Sequence, residues 1–123
     1  MTRRILVVDD QEDNRRILRD LLTASGFEVI EAKTGEESVA LAEAQIPDLI
    51  LMDIQLPGID GYEATRRIKA KPALSATPLI VVTSYALSGD EAKAFAAGAD
   101  AYVSKPFSPR ALLAKVREFL GPA

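Results

Sequence analysis

Three runs of four consecutive apolar residues constrain the fold of this chain more than any other feature. They occupy residues 5–8, 49–52 and 79–82, and each is rich in Ile, Leu and Val. A continuous apolar run of this length is typical of a strand that is buried on both faces of a sheet. Weaker patterns at residues 27–32 and 101–103 predict a less buried strand and a short fifth strand. The sequence therefore predicts five strands.

An amphipathic segment follows each predicted strand. Capping patterns and terminating glycines or prolines predict helices over residues 13–25, 34–46, 60–69, 88–98 and 108–120. Short strands that alternate with helices form a parallel sheet with helices on both faces. The predicted fold class is α/β, with a five-stranded parallel sheet, for which 2-1-3-4-5 is one known doubly wound strand order.

The absence of two residue types excludes several classes of chemistry. The sequence contains no cysteine, which rules out disulfides, thiolate zinc sites and cysteine nucleophiles. It contains no histidine, which rules out a serine–histidine triad and imidazole metal ligands. The net charge of −3 argues against nucleic acid as the main partner, so we expect no DNA binding.

The apolar runs are too short for a membrane span or a secretion signal. No run approaches the ~20 apolar residues that cross a bilayer. Only residues 5–8 follow the basic pair at residues 3–4 before the first acidic residue, which is too short for the core of a signal peptide. We therefore expect a cytoplasmic protein with no membrane insertion. The length of 123 residues suits a single domain.

Polar side chains follow the predicted strands at the points where the strands end. They are Asp9 and Asp10 after the first strand, Asp53 after the third, Thr83 and Ser84 after the fourth, and Lys105 after the fifth. Doubly wound sheets bind ligands outside the carboxyl ends of their strands, where the winding direction reverses. The first and third strands are neighbours in the order 2-1-3-4-5. We therefore expect the three aspartates to share one pocket, with Thr83 and Lys105 on its far wall.

Three carboxylates in one pocket indicate a bound cation. Two carboxylates ~4 Å apart repel by about 4 kcal/mol at an effective dielectric constant of 20, so three require a proton or a cation. Oxygen ligands without nitrogen or sulfur favour Mg²⁺ or Mn²⁺. Lys105 adds a positive charge suited to an anion, and a divalent cation with a lysine is typical of phosphoryl transfer. Asp53, alone after the central strand, is the predicted nucleophile, because a carboxylate can become an aspartyl phosphate.

Four motifs resemble those of the receiver domain of bacterial two-component response regulators. They are VVDD at residues 7–10, LMDIQLPGIDG at 51–61, VTS at 82–84 and AYVSKPF at 101–107. The similarity covers essentially the whole chain, and it is to stand-alone, chemotaxis-regulator-like members. The resemblance implies the flavodoxin-like receiver fold with the strand order 2-1-3-4-5, one receiver domain over residues 1–123 and no output domain.

The resemblance also implies a role for each polar residue at the strand ends. Asp53 is the implied phosphoacceptor, and Asp53, Thr83 and Lys105 are the implied catalytic residues. The implied Mg²⁺ ligands are Asp10 directly, Asp9 through water, Asp53, and Gln55 through its main-chain carbonyl. The implied phosphate-binding residues are Thr83, Ser84 and Lys105. Family members usually have a cis peptide before the proline that matches Pro106.

A signalling function follows from the same resemblance. The resemblance implies that the phosphoryl group comes from a phosphohistidine, and this sequence contains no histidine. We therefore expect the donor to be a histidine kinase, a histidine phosphotransfer protein or a small acyl phosphate. Phosphorylation is predicted to draw Thr83 toward the phosphoryl oxygens and to let Tyr102 fill the vacated space. This movement would reshape the surface of the fourth helix, fifth strand and fifth helix for a downstream protein partner. The chain would promote its own phosphorylation and dephosphorylation at Asp53 without being a conventional enzyme.

Three other functions account for parts of the pattern. A flavodoxin-like electron carrier is disfavoured, because the acidic segment at residues 10–13 lacks the glycines that hold a cofactor phosphate. A phosphatase with an aspartyl nucleophile needs a second acid two residues later, where Gln55 stands. A receiver-fold module that binds proteins without being phosphorylated is the main alternative.

The individual residues also have purely structural interpretations. Asp9 and Asp10 could cap the first helix, Asp53 could begin a turn, and Tyr102 could be a packing aromatic. Lys105, taken alone, has the character of a solvated surface lysine. The arginines of the first helix, Arg15, Arg16 and Arg19, are interpreted as a solvated face.

Overall fold

The computed structural model describes residues 2–83, 90–105 and 107–121. Five strands and five helices alternate along these residues. The strands are β1 (Arg4–Val8), β2 (Glu28–Ala32), β3 (Leu49–Met52), β4 (Leu79–Thr83) and β5 (Ala101–Ser104). The helices are α1 (Glu12–Ala24), α2 (Gly35–Gln45), α3 (Gly61–Lys69), α4 (Asp90–Ala97) and α5 (Pro109–Leu120). The predicted alternation of strands and helices is confirmed.

All strand pairs are parallel, and the sheet order is β2-β1-β3-β4-β5. This confirms the predicted fold class. The residues of β3 and β4 are all buried, and so are the residues of β1 after Arg4, as their continuous apolar sequences require. β2 lies at one edge and is mostly half-buried, which agrees with the glutamates in its sequence.

Successive residues of the central strands face two separate cores. One core contains Leu6, Ile50 and Val81, packed with small or apolar residues of α2, α3 and α4. The other contains Val7 and Leu51 with apolar residues of α1 and α5. Two helices therefore cover one face of the sheet and three cover the other, because side chains alternate across a strand.

Side chains at the helix starts explain several of the predicted boundaries. Thr34 accepts a hydrogen bond from the amide of Glu37, and Asp60 accepts one from the amide of Glu63. Ser108 caps α5 in the same way, and Pro109 takes the first helical position. The cap predicted for the fourth helix at residues 88–89 lies outside the described residues.

The end of α2 has an unexpected backbone conformation. Ile46 follows the last helical residue with φ 45° and ψ 69°, and its side chain is 45% exposed. An isoleucine in the left-handed region is uncommon, because its branched Cβ crowds the backbone. The following Pro47 disfavours the right-handed helical conformation at this position and so contributes to ending α2 here.

Within the described ranges, none of the helices combines the length and the apolar character needed to cross a membrane.

Candidate functional site

Three aspartates meet at the carboxyl ends of neighbouring strands. Asp9 follows β1 and is 2% exposed, Asp53 follows β3 and is 8% exposed, and Asp10 is exposed. One carboxylate oxygen of each lies within 4.8 Å of the others. The predicted clustering of these three residues is confirmed.

Sheet hydrogen bonds place the aspartates next to one another. The Asp9 amide donates to the carbonyl of Ala32 at 3.1 Å, and the Asp53 amide donates to the carbonyl of Val8 at 3.0 Å. Each bond extends strand pairing by one residue beyond the regular strands. The positions of the aspartates are therefore fixed by the same backbone bonding that holds β2, β1 and β3 together.

The Asp9 carboxylate has hydrogen-bonding partners on both oxygens. Oδ1 accepts from the amide of Gln11 at 2.9 Å and from Nδ2 of Asn14 at 3.4 Å. Oδ2 lies 3.0 Å from Nζ of Lys105. Gln11 is the N-cap residue of α1 and makes no capping bond with its own side chain. Asp9 is therefore not the N-cap of α1: its carboxylate bonds to the amide of the N-cap residue and to the Asn14 side chain while it lies in the acidic cluster.

The Asp53 carboxyl is buried and has a raised pKa. Its Oδ1 accepts a hydrogen bond from the Ile54 amide at 2.8 Å. The pKa of Asp53 is raised to about 6, mainly by burial. The charge of Lys105 and the main-chain amides of Ile54 and Gln55 oppose this rise, and the nearby Asp9 carboxylate adds to it. Asp53 is therefore largely, but not completely, ionised at neutral pH.

The other predicted site residues lie in β4, in β5 and in the loop after β3, as far as the structure describes them. Thr83 ends β4 and is buried, and its carbonyl accepts the amide of Lys105 at 2.7 Å. Tyr102 is half-buried in β5, opposite Val81 in the strand pairing. Gln55 is exposed in the loop after β3. Ser84 and Pro106 lie outside the described residues.

Lys105 is not the solvated surface lysine of the structural interpretation. Its side chain is 18% exposed, and its ammonium pairs with the buried Asp9. The backbone bond to Thr83 sets the direction in which the chain leaves β5. The lysine therefore belongs to the acidic site.

The interpretation of Arg15 as part of a solvated face is wrong. Arg15 is 3% exposed, and its guanidinium donates to the carbonyl of Asp9 at 2.8 Å and to Glu31 at 3.2 Å. The sequence contained a signal for this position, since Arg15 precedes buried Leu18 and Leu22 by three and seven residues. That spacing places it on the inward face of α1.

A shallow apolar groove adjoins the site. It has a cavity volume of about 280 Å³ and lies between α1 and the segment that joins β5 to α5. Its lining residues are Asn14, Ile17, Leu18, Lys105, Phe107 and Pro109. Ile17 is 56% exposed, which is high for an isoleucine. Because Lys105 lines the groove and also bonds to Asp9, the groove and the acidic cluster are continuous.

The acidic cluster fits a hard divalent cation. Its ligands are all oxygen atoms, and two of the three carboxylates are buried, which makes their mutual repulsion costly without a compensating cation. Lys105 provides one positive charge at the edge of the cluster. The donor set is the kind that Mg²⁺ or Mn²⁺ prefers.

Comparisons with known proteins agree with this geometry. The chain is 42% identical over 123 residues to the polar-differentiation response regulator DivK of Brucella ovis, covering 100% of both chains. The receiver domain of the sensor histidine kinase PA1611 from Pseudomonas aeruginosa, solved with a magnesium ion in its active-site cleft, is 36% identical. It superposes with a TM-score of 0.91 over 98% of this chain and 99% of that one. The chemotaxis protein CheY4 of Vibrio cholerae is 27% identical, with a TM-score of 0.91 over 97% and 99% of the two chains.

The family model for the response regulator receiver domain matches residues 5–117. This range contains all five strands and all five helices, apart from the first residue of β1 and the end of α5. The matched region contains the acidic cluster and Lys105. The chain therefore belongs to the response regulator receiver family, whose members act as phosphoacceptors in two-component signalling.

Proposed function

We propose that this chain accepts a phosphoryl group on Asp53 from a phosphohistidine of a partner protein, with Mg²⁺ bound at the acidic cluster. The observation that carries the proposal is the close approach of the Asp9, Asp10 and Asp53 carboxylates, with Lys105 bonded to Asp9. The magnesium ion in the PA1611 receiver domain supports the choice of cation. The sequence has no histidine, which is why the donor is assigned to a partner.

Each residue of the cluster has a part in the proposed reaction. Asp9, Asp10 and Asp53 would hold Mg²⁺, with the main-chain carbonyl of Gln55 as a further ligand. Bound Mg²⁺ would neutralise the charge of the entering phosphoryl oxygens. Lys105 and Thr83, and Ser84 beyond the described residues, would bind the same oxygens.

The transfer step is a displacement at phosphorus. An ionised Asp53 oxygen forms a bond to phosphorus, the phosphorus–nitrogen bond of the phosphohistidine breaks, and the nitrogen keeps the electron pair. A pKa of about 6 leaves most Asp53 carboxyls ionised at neutral pH and ready to attack. Loss of the phosphoryl group would require water to attack the same phosphorus.

The groove between α1 and the β5–α5 segment is the proposed docking surface for the phosphohistidine-bearing protein. A donor that brings its phosphohistidine to Asp53 must cover the surface next to the acidic cluster. The groove is continuous with the cluster through Lys105, and Ile17 exposes apolar surface there that a partner would bury. A small donor such as acetyl phosphate needs no such surface.

The proposed output is a rearrangement of the surface formed by α4, β5 and α5. Thr83 lies at the end of β4, and Tyr102 lies in the adjacent β5, paired with Val81. Because residues two apart in a strand share a face, a displacement of Thr83 would alter the surface next to Tyr102. A phosphoryl group adds a charge of about −1.5 to −2 and three acceptor oxygens, which can supply the differential interaction that a two-state change needs. A downstream protein would read the altered surface.

The test is incubation with acetyl phosphate and Mg²⁺, followed by intact-mass measurement. Wild type is expected to gain about 80 Da, the mass of one phosphoryl group. Asp53→Asn is expected to gain none, and Asp20→Asn, a matched change at an exposed aspartate of α1, is expected to gain as much as wild type. Absence of the gain in folded wild type would contradict the proposal and favour a protein-binding module that works without phosphorylation.

The donor surface can be tested separately from the chemistry. Ile17→Lys is expected to slow transfer from a phosphorylated histidine phosphotransfer protein, while phosphorylation by acetyl phosphate is unchanged. Ile46→Lys is the matched control, because Ile46 is also exposed but precedes the amino end of β3. Equal transfer rates for the two variants would rule out the groove as the docking surface.

A further inference from the structure

We propose that Arg15 is a positioning residue of the acidic site: its buried guanidinium fixes the Asp9–Asp10 peptide and thereby sets the geometry of two of the three carboxylates. The inference rests on the proposed function, since it concerns how well the cluster is arranged for a divalent cation. It assigns a role to a buried charged residue that takes no part in the proposed transfer step.

The guanidinium of Arg15, which lies in α1, bonds to the residue after β1, to β2 and to the first turn of α1. Nη1 donates to the carbonyl oxygen of Asp9 at 2.8 Å, and this bond is buried. Nε donates to Oε1 of Glu31 in β2 at 3.2 Å. Nη2 pairs with Glu12 in the first turn of α1. A planar, fork-shaped donor can make these three bonds at once, whereas a lysine ammonium on a flexible stem cannot hold the same directions.

The bond to the Asp9 carbonyl falls at the point where the chain leaves the sheet. The Asp9 amide still bonds to Ala32 across β2, so the residue is held from the sheet side. Its carbonyl belongs to the next peptide, which carries Asp10, and this peptide is held by Arg15 from the side of α1. Rotation of that peptide would move the exposed Asp10 carboxylate relative to Asp9 and Asp53. Arg15 therefore restricts the separation of the metal-binding carboxylates.

The charge of Arg15 is already balanced by neighbouring acids. Glu31 and Glu12 pair with it, and Glu31 also pairs with Arg19 at 2.9 Å. With these partners the guanidinium acts on the cluster through the Asp9 backbone and does not serve as a free cation for a phosphoryl group. Arg19 shares Glu31 with Arg15, but its own side chain is 36% exposed, which makes it a natural control.

The test compares Mg²⁺ affinities, measured by isothermal titration calorimetry with Mg²⁺ alone, for wild type, Arg15→Met, Arg15→Lys and Arg19→Met. Arg15→Met is expected to weaken binding by about tenfold or more, the range typical of residues that orient metal ligands. Arg15→Lys keeps the positive charge but loses the planar arrangement of guanidinium donors. Its Mg²⁺ affinity is expected to be about threefold or more below that of wild type. Arg19→Met is expected to bind like wild type. Thermal unfolding of each variant shows whether it is folded during the titration.

The outcomes separate this inference from the proposed function. Failure of folded wild type to bind Mg²⁺ would overturn the proposed function, and this inference with it. Binding by wild type with equal affinities for Arg15→Met and Arg19→Met would overturn the inference alone. An Mg²⁺ affinity of Arg15→Lys equal to that of wild type would also overturn the inference. The positive charge would then be sufficient without the hydrogen bonds of the guanidinium.

One further comparison covers the case in which Arg15→Met does not fold. Arg15→Lys and Arg19→Lys are then compared, since each keeps its charge and removes only the guanidinium geometry. A weaker Mg²⁺ affinity for Arg15→Lys than for Arg19→Lys supports the inference. Equal affinities for the two lysine variants would overturn it.

Discussion

Nζ of Lys105 lies 3.0 Å from Oδ2 of Asp9, a carboxylate that is almost completely buried. The ammonium therefore pairs with one carboxylate oxygen of the acidic cluster, Oδ2 of Asp9. A divalent cation that binds the cluster competes with Lys105 for Asp9. Because the lysine stem is long and flexible, the ammonium can leave Asp9 and reach a phosphoryl group nearby.

Removal of this ammonium is expected to change metal binding and phosphorylation in opposite directions. Lys105→Met takes away a positive charge beside Asp9, so we expect Mg²⁺ to bind about threefold or more tightly. The same variant lacks the cation that would bind the phosphoryl oxygens, so acceptance from acetyl phosphate is expected to slow by about tenfold or more. Calorimetry measures the first effect, and intact mass against time measures the second.

A surface lysine provides the control for that pair of measurements. Lys115 pairs with Glu118 on α5, and their side chains are 37% and 64% exposed. Lys115→Met is expected to leave both quantities unchanged, because exposed pairs contribute little and are screened by salt. Weaker Mg²⁺ binding in Lys105→Met would mean that the lysine supports the metal site and does not compete with it.

The raised pKa of Asp53 predicts a specific dependence of stability on pH. The folded pKa of about 6 lies above the usual value of 3.8, so the folded protein holds this proton more tightly than the unfolded chain. The contribution of this proton to the free energy of unfolding is fully present below the pKa that Asp53 has in the unfolded chain. It is lost as the pH rises through the folded pKa of about 6. We therefore expect Asp53→Asn, which cannot ionise, to exceed wild type in free energy of unfolding by about 1–3 kcal/mol at pH 8.

The difference between wild type and Asp53→Asn is expected to shrink as the pH falls from 8 toward 4, because the folded Asp53 carboxyl becomes protonated over this range. It reaches zero only well below the usual pKa of 3.8, where the unfolded carboxyl is protonated as well. Urea denaturation between pH 4 and pH 8 with a chelator present measures it, since a bound cation would itself favour the ionised form. A difference that stays constant over this range would mean that the Asp53 carboxyl titrates like an exposed acid.

Much of the fold was predictable because its signals are local. Runs such as residues 49–52 indicate buried strands, and caps such as Thr34 and Asp60 mark helix starts within one or two residues. The clustering of the aspartates was also predictable, since parallel strands present their carboxyl ends at one edge of the sheet. The left-handed conformation of Ile46 was not, because its side chain gives no local signal for it.

The connections within the site were harder to predict from the sequence. The pairing of Lys105 with Asp9 joins residues 96 positions apart, and no local pattern indicates which aspartate the lysine selects. Arg15 was assigned to solvent because arginine is rarely buried, although its spacing from Leu18 pointed inward. Its partner Glu31 lies in β2, and only the folded arrangement brings α1 and β2 together.

Gly61 is expected to be intolerant of any side chain, because α3 begins in contact with the main chain after Asp53. A Cβ at Gly61 would collide with the carbonyl oxygen of Asp53 and lie 2.7 Å from Cα of Ile54, and both atoms belong to the backbone. The Gly61 amide also donates to the Ile54 carbonyl at 2.9 Å. Gly61→Ala is expected to lower the free energy of unfolding by about 1–3 kcal/mol and to slow phosphorylation of Asp53, measured by urea denaturation and intact mass.

Gly121 offers a contrasting glycine for that experiment. It has φ 76°, but a Cβ there would meet no atom within 4 Å. Gly121→Ala is expected to cost about 1 kcal/mol from backbone strain and to leave phosphorylation unchanged. Normal phosphorylation in Gly61→Ala would show that the site tolerates displacement of the start of α3.

The hydroxyl of Thr65 in α3 is expected to destabilise the protein. Thr65 is completely buried, and its Oγ1 has no hydrogen-bonding partner among the described residues. Valine has nearly the same shape and χ1 restriction, so Thr65→Val removes the desolvated oxygen without opening a cavity. We expect a gain of about 1 kcal/mol in the free energy of unfolding, measured by urea denaturation with an unchanged m-value.

Thr23→Val, the same change at an exposed position of α1, is expected to alter stability by less than about 0.5 kcal/mol. A loss of stability in Thr65→Val would mean that the hydroxyl is hydrogen-bonded in solution.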